Sequence, residues 1–249
     1  MRSLLLSSCL FLGLLFVSSV TFAEGEPCEV LPVPSEEIPA GVKSEATSPE
    51  AAKKMRDSLQ SAYRKIKSLK AEFSQSSYLK SLDLSEESNG KLVLGIPGKL
   101  FWEYEKPEPQ TFLLKDDEFR LFQPLEKQLI IQSTRKYFLS DIPVSFLLGL
   151  GDLAEDFEVL SGCKAGKVVT LTLKPKPRES AKGGRDPGLK ELKLSFSTVS
   201  YFPEVAEILD REENRTSLKL SKLRENEALQ QSTFTLTVPP GTDIQDLRG

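Results

Sequence analysis

From Gln75 to Val238 apolar and polar residues alternate one for one in short runs, and turn residues separate the runs. This pattern narrows the fold more than any other feature of the chain. A period of two sends successive side chains to opposite faces of a strand. Short strands at regular spacing build an antiparallel sheet or barrel with one face buried and one wet. Leu92, Leu94 and Ile96 alternate with Lys91, Val93 and Gly95. After the Pro97-Gly98 break, Leu100, Trp102 and Tyr104 alternate with Phe101, Glu103 and Glu105. Further strands are predicted over 111–115, 119–122, 128–133, 168–173, 189–197, 204–210, 216–223 and 233–238. Asn89-Gly90 reads as a tight turn, and Ser161-Gly162-Cys163-Lys164 as another.

Two segments break the pattern. Ser48-Pro49-Glu50 is a helix start, with a capping serine, a proline in the first turn and an acid behind it. The spacing of Leu59, Tyr63, Ile66 and Leu69 predicts a helix running to about residue 69 or 73. A second helix is predicted over about 139–153, capped by Ser140 or Asp141, with Phe146, Leu147 and Leu150 on one face. The fold class expected is α+β, mostly antiparallel β. Residues 175–188 read as a polar connecting loop.

The N-terminus reads as a secretory signal peptide: Arg2, the apolar stretch Leu4 to Val20, then Thr21-Phe22-Ala23 with cleavage after Ala23. The expected division is a signal peptide over 1–23, a disordered Pro/Glu-rich linker over 24–47, and one domain over 48–249. Export leaves Cys28 and Cys163 in a compartment that permits a disulfide. Spacing alone does not decide between a bond and two thiols.

Composition removes several classes of function. The chain of 249 residues has no histidine, which excludes Ser-His-Asp and Cys-His nucleophiles and histidine metal sites. A net charge of −3 argues against dedicated nucleic-acid binding. Gly149-Leu-Gly151-Asp-Leu-Ala154 fits a dinucleotide fingerprint only formally, because no strand precedes it and no βαβ unit surrounds it. The acidic residues, among them Glu103, Glu105, Asp116, Asp117, Asp152 and Asp156, fall in turns and on wet faces, where no paired acid and base emerges. The reading is a binding protein, not an enzyme, with no cofactor and no metal.

From Phe73 onward the chain resembles the periplasmic outer-membrane lipoprotein carrier family, LolA. Phe73-Ser-Gln75 is followed by Gly90-Lys-Leu-Val-Leu-Gly-Ile-Pro97-Gly-Lys-Leu-Phe-Trp102-Glu-Tyr104. Leu113-Leu114-Lys-Asp116-Asp117, Phe122-Gln-Pro124, Ser145-Phe-Leu-Leu148 and Phe234-Thr-Leu-Thr-Val-Pro-Pro-Gly241-Thr-Asp243-Ile244 then come in the family's order. The resemblance covers about residues 50–247. It implies an unclosed, curved β-barrel, or half-barrel, with a helical lid over an apolar cavity.

The resemblance also implies a role. Such proteins carry lipoproteins from an inner-membrane lipoprotein-releasing transporter to an outer-membrane lipoprotein acceptor, through the periplasm, without catalysis and as monomers. The acyl chains of the cargo would lie on Leu92, Leu94, Ile96, Leu100, Trp102 and Tyr104, with Leu113, Phe119, Leu121 and Ile130 in less certain register. Leu59, Tyr63, Ile66, Phe146 and Leu147 would form the lid. For every one of these residues ordinary core packing is the competing reading. Ile96 stands where many family members have an arginine that holds the lid closed, and it cannot donate those hydrogen bonds. A lipid- or lipoprotein-sensing regulator, or a carrier of another lipid, is the alternative on the same fold.

Overall fold

The computed structural model describes residues 28–133, 151–177 and 188–248. In chain order the elements are β1 (Glu45–Ala46), α1 (Pro49–Tyr63), β2 (Ser68–Leu79), β3 (Leu84–Gly95), β4 (Lys99–Lys106), β5 (Gln110–Lys115), β6 (Glu118–Gln123) and β7 (Gln128–Ser133). They continue with α2 (Leu153–Asp156), β8 (Phe157–Ala165), β9 (Val168–Pro175), β10 (Leu189–Ser197), β11 (Pro203–Asp210), β12 (Arg215–Glu225) and β13 (Asp243–Asp246). The strands form one sheet in the order β1-β8-β9-β10-β11-β12-β2-β3-β4-β5-β6-β7-β13. Every neighbouring pair is antiparallel except β13 on β7, which is parallel. The sheet stays open, with β1 and β13 as its edges.

Period-two alternation puts Leu69, Ala71 and Phe73 of β2 on the same face as Leu92 and Leu94 of β3 and Leu100 of β4. Leu218 and Leu220 of β12, Leu192, Leu194 and Phe196 of β10, and Leu171 and Leu173 of β9 complete the core on this inner face. The stripe Ala52, Leu59 and Tyr63 of α1, with Ile66 just beyond it, packs into the same cluster. Tyr63 stacks on Phe202, ring centroids 5.8 Å apart. Ser48 caps α1 by accepting from Ala51 N at 3.2 Å. The buried Gln60 side chain accepts from Leu153 N at 2.8 Å, and Arg64 pairs with Asp152, so α1 holds the start of α2.

The outer face is covered in two places. Residues 28–47 run across β8 to β11 as a strap. A disulfide joins Cys28 to Cys163 of β8, Cα atoms 5.8 Å apart. Leu31 and Val33 bury themselves against Val168 and Val205. Leu31 N donates to Thr170 Oγ1 at 2.9 Å, and Ser195 Oγ donates to Leu31 O at 2.5 Å. The fully buried Glu204 carboxylate accepts from Ser35 N at 2.9 Å and from Ser35 Oγ. On the other half of the sheet the C-terminal segment carries Phe234 over β4 and β5 before β13 joins β7.

Several expectations change. The linker reading of 24–47 does not hold for residues 28–47: two apolar residues, a disulfide and buried hydrogen bonds seat them on the sheet. The first helix stops at Tyr63, because Leu69, Ala71 and Phe73 follow the strand period and pair with β3. Asn89-Gly90 is no turn. It lies inside β3 at a register shift against β4, and the turn is made at Asp83, whose φ is 48°. Cys163 belongs to strand β8. Residues 233–238 form no strand; Gln231–Phe234 is a short 3-10 turn, and the last strand is β13. The signal peptide, most of the predicted second helix and most of the 175–188 loop lie outside the described residues.

Candidate functional site

The inner face changes chemistry along the strand direction. At one end it is aliphatic: Leu69 of β2, Leu94 of β3, Leu100 of β4 and Leu114 of β5 stand in one cross-strand row. The next rows are aromatic. Phe73 contacts Trp102 at 4.8 Å and Tyr104 at 5.0 Å between centroids. Tyr104 meets Phe112 at 5.7 Å, and Phe112 meets Phe119 at 5.8 Å. This chain of rings crosses four strands, β2, β4, β5 and β6.

Trp102, Tyr104 and Phe119 are only half-buried, unlike the leucines beside them. The aromatic belt therefore extends the core outward, with apolar surface continuous from the closed interior. Gly90 makes room for it. A Cβ there would fall 1.8 Å from the Glu103 carbonyl oxygen and 2.9 Å from the Phe73 ring.

Beyond the aromatic rows the face turns polar. Gln75 and Ser77 of β2, Ser88 and Glu86 of β3 and Gln110 of β5 continue the inward-facing positions. With Tyr104 and Phe112 they line an open recess of about 420 Å³. The Tyr104 hydroxyl donates to Gln75 Oε1 at 3.1 Å, and Gln75 Nε2 donates to Ser77 Oγ at 3.1 Å. Burial raises the Tyr104 phenol above its ordinary pKa. Among the described residues the buried Trp102 indole N–H meets no acceptor in hydrogen-bonding geometry.

Most of the predicted cavity residues come together on this face. Leu92, Leu94 and Leu100 are fully buried core, whereas Ile96, Trp102, Tyr104 and Phe119 border it. Leu121 and Ile130 pair across β6 and β7 on the same face and are half-buried. Leu113 does not belong: it pairs with Phe101 and Arg120 on the outer face, near Phe234. Its neighbours Phe112 and Leu114 point inward instead. In the apolar run Phe112-Leu113-Leu114 alternation is silent, so only the pairing with β4 sets the register. Phe73 escaped notice because it was read as the end of a helix.

Of the lid residues, Leu59, Tyr63 and Ile66 are buried in the main core. Burial raises the Tyr63 phenol far above its ordinary range. Phe146 and Leu147 lie outside the described residues. Ile96 packs against the core, and its N–H donates to Lys67 O at 2.9 Å. Among the described residues no three His, Cys, Asp or Glu side chains gather to hold a metal ion, and no helix is long and apolar enough to cross a membrane.

The family described as Outer membrane lipoprotein carrier protein LolA matches residues 64–237. The outer-membrane lipoprotein carrier protein of Cupriavidus pinatubonensis is 32% identical over 204 residues, 80% of this chain and 91% of that one. Its counterpart in Dechloromonas aromatica is 28% identical over 188 residues, 76% of this chain and 86% of that one. An uncharacterized conserved protein from Thermus thermophilus, known by crystal structure, is similar in fold with a TM-score of 0.50 and 12% identity, covering 79% of this chain and 99% of that one. The matched span begins at the end of α1 and takes in the whole aromatic belt, and on that extent of agreement the chain belongs to the outer-membrane lipoprotein carrier family, LolA.

Proposed function

We propose that this protein is a periplasmic carrier that encloses the acyl chains of lipoproteins and passes them from an inner-membrane releasing transporter to an outer-membrane acceptor, without catalysis. The observation that carries the reading is the aromatic belt, Phe73, Trp102, Tyr104, Phe112 and Phe119, joined to the aliphatic core yet half-open. Exposing an acyl chain to water costs about 0.8 kcal/mol per methylene, so a soluble carrier has to cover it with apolar surface. A preformed apolar face does this with no covalent step. Handover downhill needs only an acceptor of higher affinity. On this reading Ile96 adds apolar surface at the edge of the face, at the position where the family resemblance implies an arginine.

The test is native mass spectrometry with lipid extraction on the mature protein taken from its own periplasm, wild type beside Trp102→Glu. Triacylated peptides that accompany the wild type and vanish in the variant support the carrier reading. Free phospholipid or glycolipid in their place would change the cargo to another lipid. A wild-type spectrum still free of lipid after lipidated substrate is added would overturn carriage and favour a sensor.

A further inference from the structure

We propose that the polar end of the inner face is a headgroup subsite that accepts an uncharged ester- and amide-bearing junction and turns away anionic lipids. The inference rests on the carrier reading and gives the ligand a direction. Along each of β2, β3 and β5 the inward positions pass from leucine to the level of the rings and then to polar side chains. On β2 the order is Leu69, Ala71, Phe73, Gln75, Ser77; on β3 it is Leu94, Leu92, Gly90, Ser88, Glu86; on β5 it is Leu114, Phe112, Gln110. An amphiphile laid on this face matches it in one orientation only, with tails over the half-buried rings, pointing toward the leucine end, and the polar junction at Gln75, Ser88 and Gln110. Amide and hydroxyl groups suit ester and peptide groups, because they donate and accept without carrying charge.

The charge at this end is one-sided. Glu86 and Glu108 both line the recess, and the residues that line it include no lysine or arginine. Lys106, next along β4, is not part of the lining. Carboxylates at the mouth of the recess repel an incoming anion, an effect that salt screens. A lipoprotein anchor blocked at its amino group by an acyl chain presents no charge there. Phosphatidylglycerol, with two acyl chains of the same length, presents a phosphate. Discrimination at this end would let the carrier ignore membrane lipid whose tails fit equally well.

The experiment is competition binding to the full mature chain. A synthetic triacylated cysteinyl peptide competes against phosphatidylglycerol of matched tails, for wild type and for Glu86→Gln/Glu108→Gln. The wild type is expected to prefer the peptide. The double variant is expected to bind phosphatidylglycerol about tenfold more tightly than wild type does, with peptide affinity unchanged; tenfold corresponds to about 1.4 kcal/mol. Raising the salt concentration should narrow the gap for wild type and leave the variant unmoved. If the wild type binds both ligands alike, or if the variant gains nothing for phosphatidylglycerol, the subsite assignment fails while the carrier reading stands. If the wild type binds neither ligand, the carrier reading fails and takes the subsite with it.

Discussion

Phe73 of β2 stands directly opposite Gly90 of β3, and the absent side chain of Gly90 is the space in which the Phe73 ring meets Trp102 and Tyr104. An alanine at Gly90 would press its Cβ on the Glu103 carbonyl oxygen as well as on the ring. The backbone of β4 cannot yield without breaking its ladder to β3. Gly90→Ala should therefore cost more than about 2 kcal/mol in urea unfolding, at the severe end of overpacking. Phe73→Leu on top of it should not restore stability, because the carbonyl contact remains. Full rescue by Phe73→Leu would show that only the ring is obstructed.

The Cys28–Cys163 bond closes a loop with a sequence separation of 135 residues. Cross-links that close long loops constrain the unfolded chain strongly, and loss of a native disulfide costs about 2–5 kcal/mol. Cys28→Ser/Cys163→Ser is expected to lower stability by that amount in denaturant unfolding. Hydrogen exchange should quicken first in residues 28–47, whose remaining anchors include Leu31, Val33, Ser35 and the pairing of β1 with β8.

Among the described residues Ser35 supplies both donors to the Glu204 carboxyl group, which is 1% exposed. Ser35→Ala keeps the backbone N–H and removes the hydroxyl, leaving a buried carboxyl group with half its support. A loss of about 1–3 kcal/mol is expected, as for a buried group stripped of a hydrogen bond. Ser35→Thr keeps the hydroxyl and should fall closer to wild type. Equal stability of the alanine variant and wild type would mean that water replaces the hydroxyl.

At the C-terminal edge the Arg248 guanidinium holds Asp246 and also reaches Glu118 of β6. Hydrogen bonds from the Arg248 side chain lower the Asp246 carboxyl from 3.8 to about 2. A depressed carboxyl pKa stabilises the folded state above the unfolded value near 3.8, and that contribution disappears as pH falls through about 2. Carboxyl titration by NMR should give the low value in wild type. Arg248→Ala should bring it back toward 3.8. An unchanged value in the variant would assign the shift to another neighbour.

The sheet was legible where polar residues mark the alternation. Leu92/Leu94 and Leu100/Trp102/Tyr104 face inward as predicted, because Lys91, Lys99 and Glu103 mark the outward positions beside them and leave one register. Leu113 was misplaced because its neighbours are equally apolar, so nothing local separates the faces. Asn89-Gly90 misled for the opposite reason. The pair has turn chemistry, but the glycine answers a long-range need, the space for Phe73. The strap was illegible because its prolines and glutamates have the composition of a linker. Its order comes from Val168, Thr170, Ser195 and Glu204, far away in sequence. The resemblance to the carrier family was legible through the order of its pieces, which no single strand period supplies.

Trp102 is the only tryptophan of the chain, and it sits in the middle of the aromatic belt, 4.8 Å from Phe73 and 6.2 Å from Tyr104. Its emission therefore reports the candidate site and nothing else. Acyl chains laid on the belt would lie against the indole, so lipid carrying bromine on its tails should quench the emission, whereas the same lipid brominated in its headgroup should quench it less. The contrast follows from the row order: tails on the half-buried rings, polar groups at Gln75 and Ser88. Binding that leaves the emission untouched by either bromine position would put the lipid elsewhere on the molecule. Phe112→Glu offers a second check in which the reporter stays in place. It introduces a charge beside Tyr104 on the apolar face, where an unpaired carboxylate is costly to cover with hydrocarbon. Quenching by tail-brominated lipid should fall at least tenfold in concentration dependence, about 1.4 kcal/mol. Circular dichroism matching wild type would show that the loss is one of binding and not of fold.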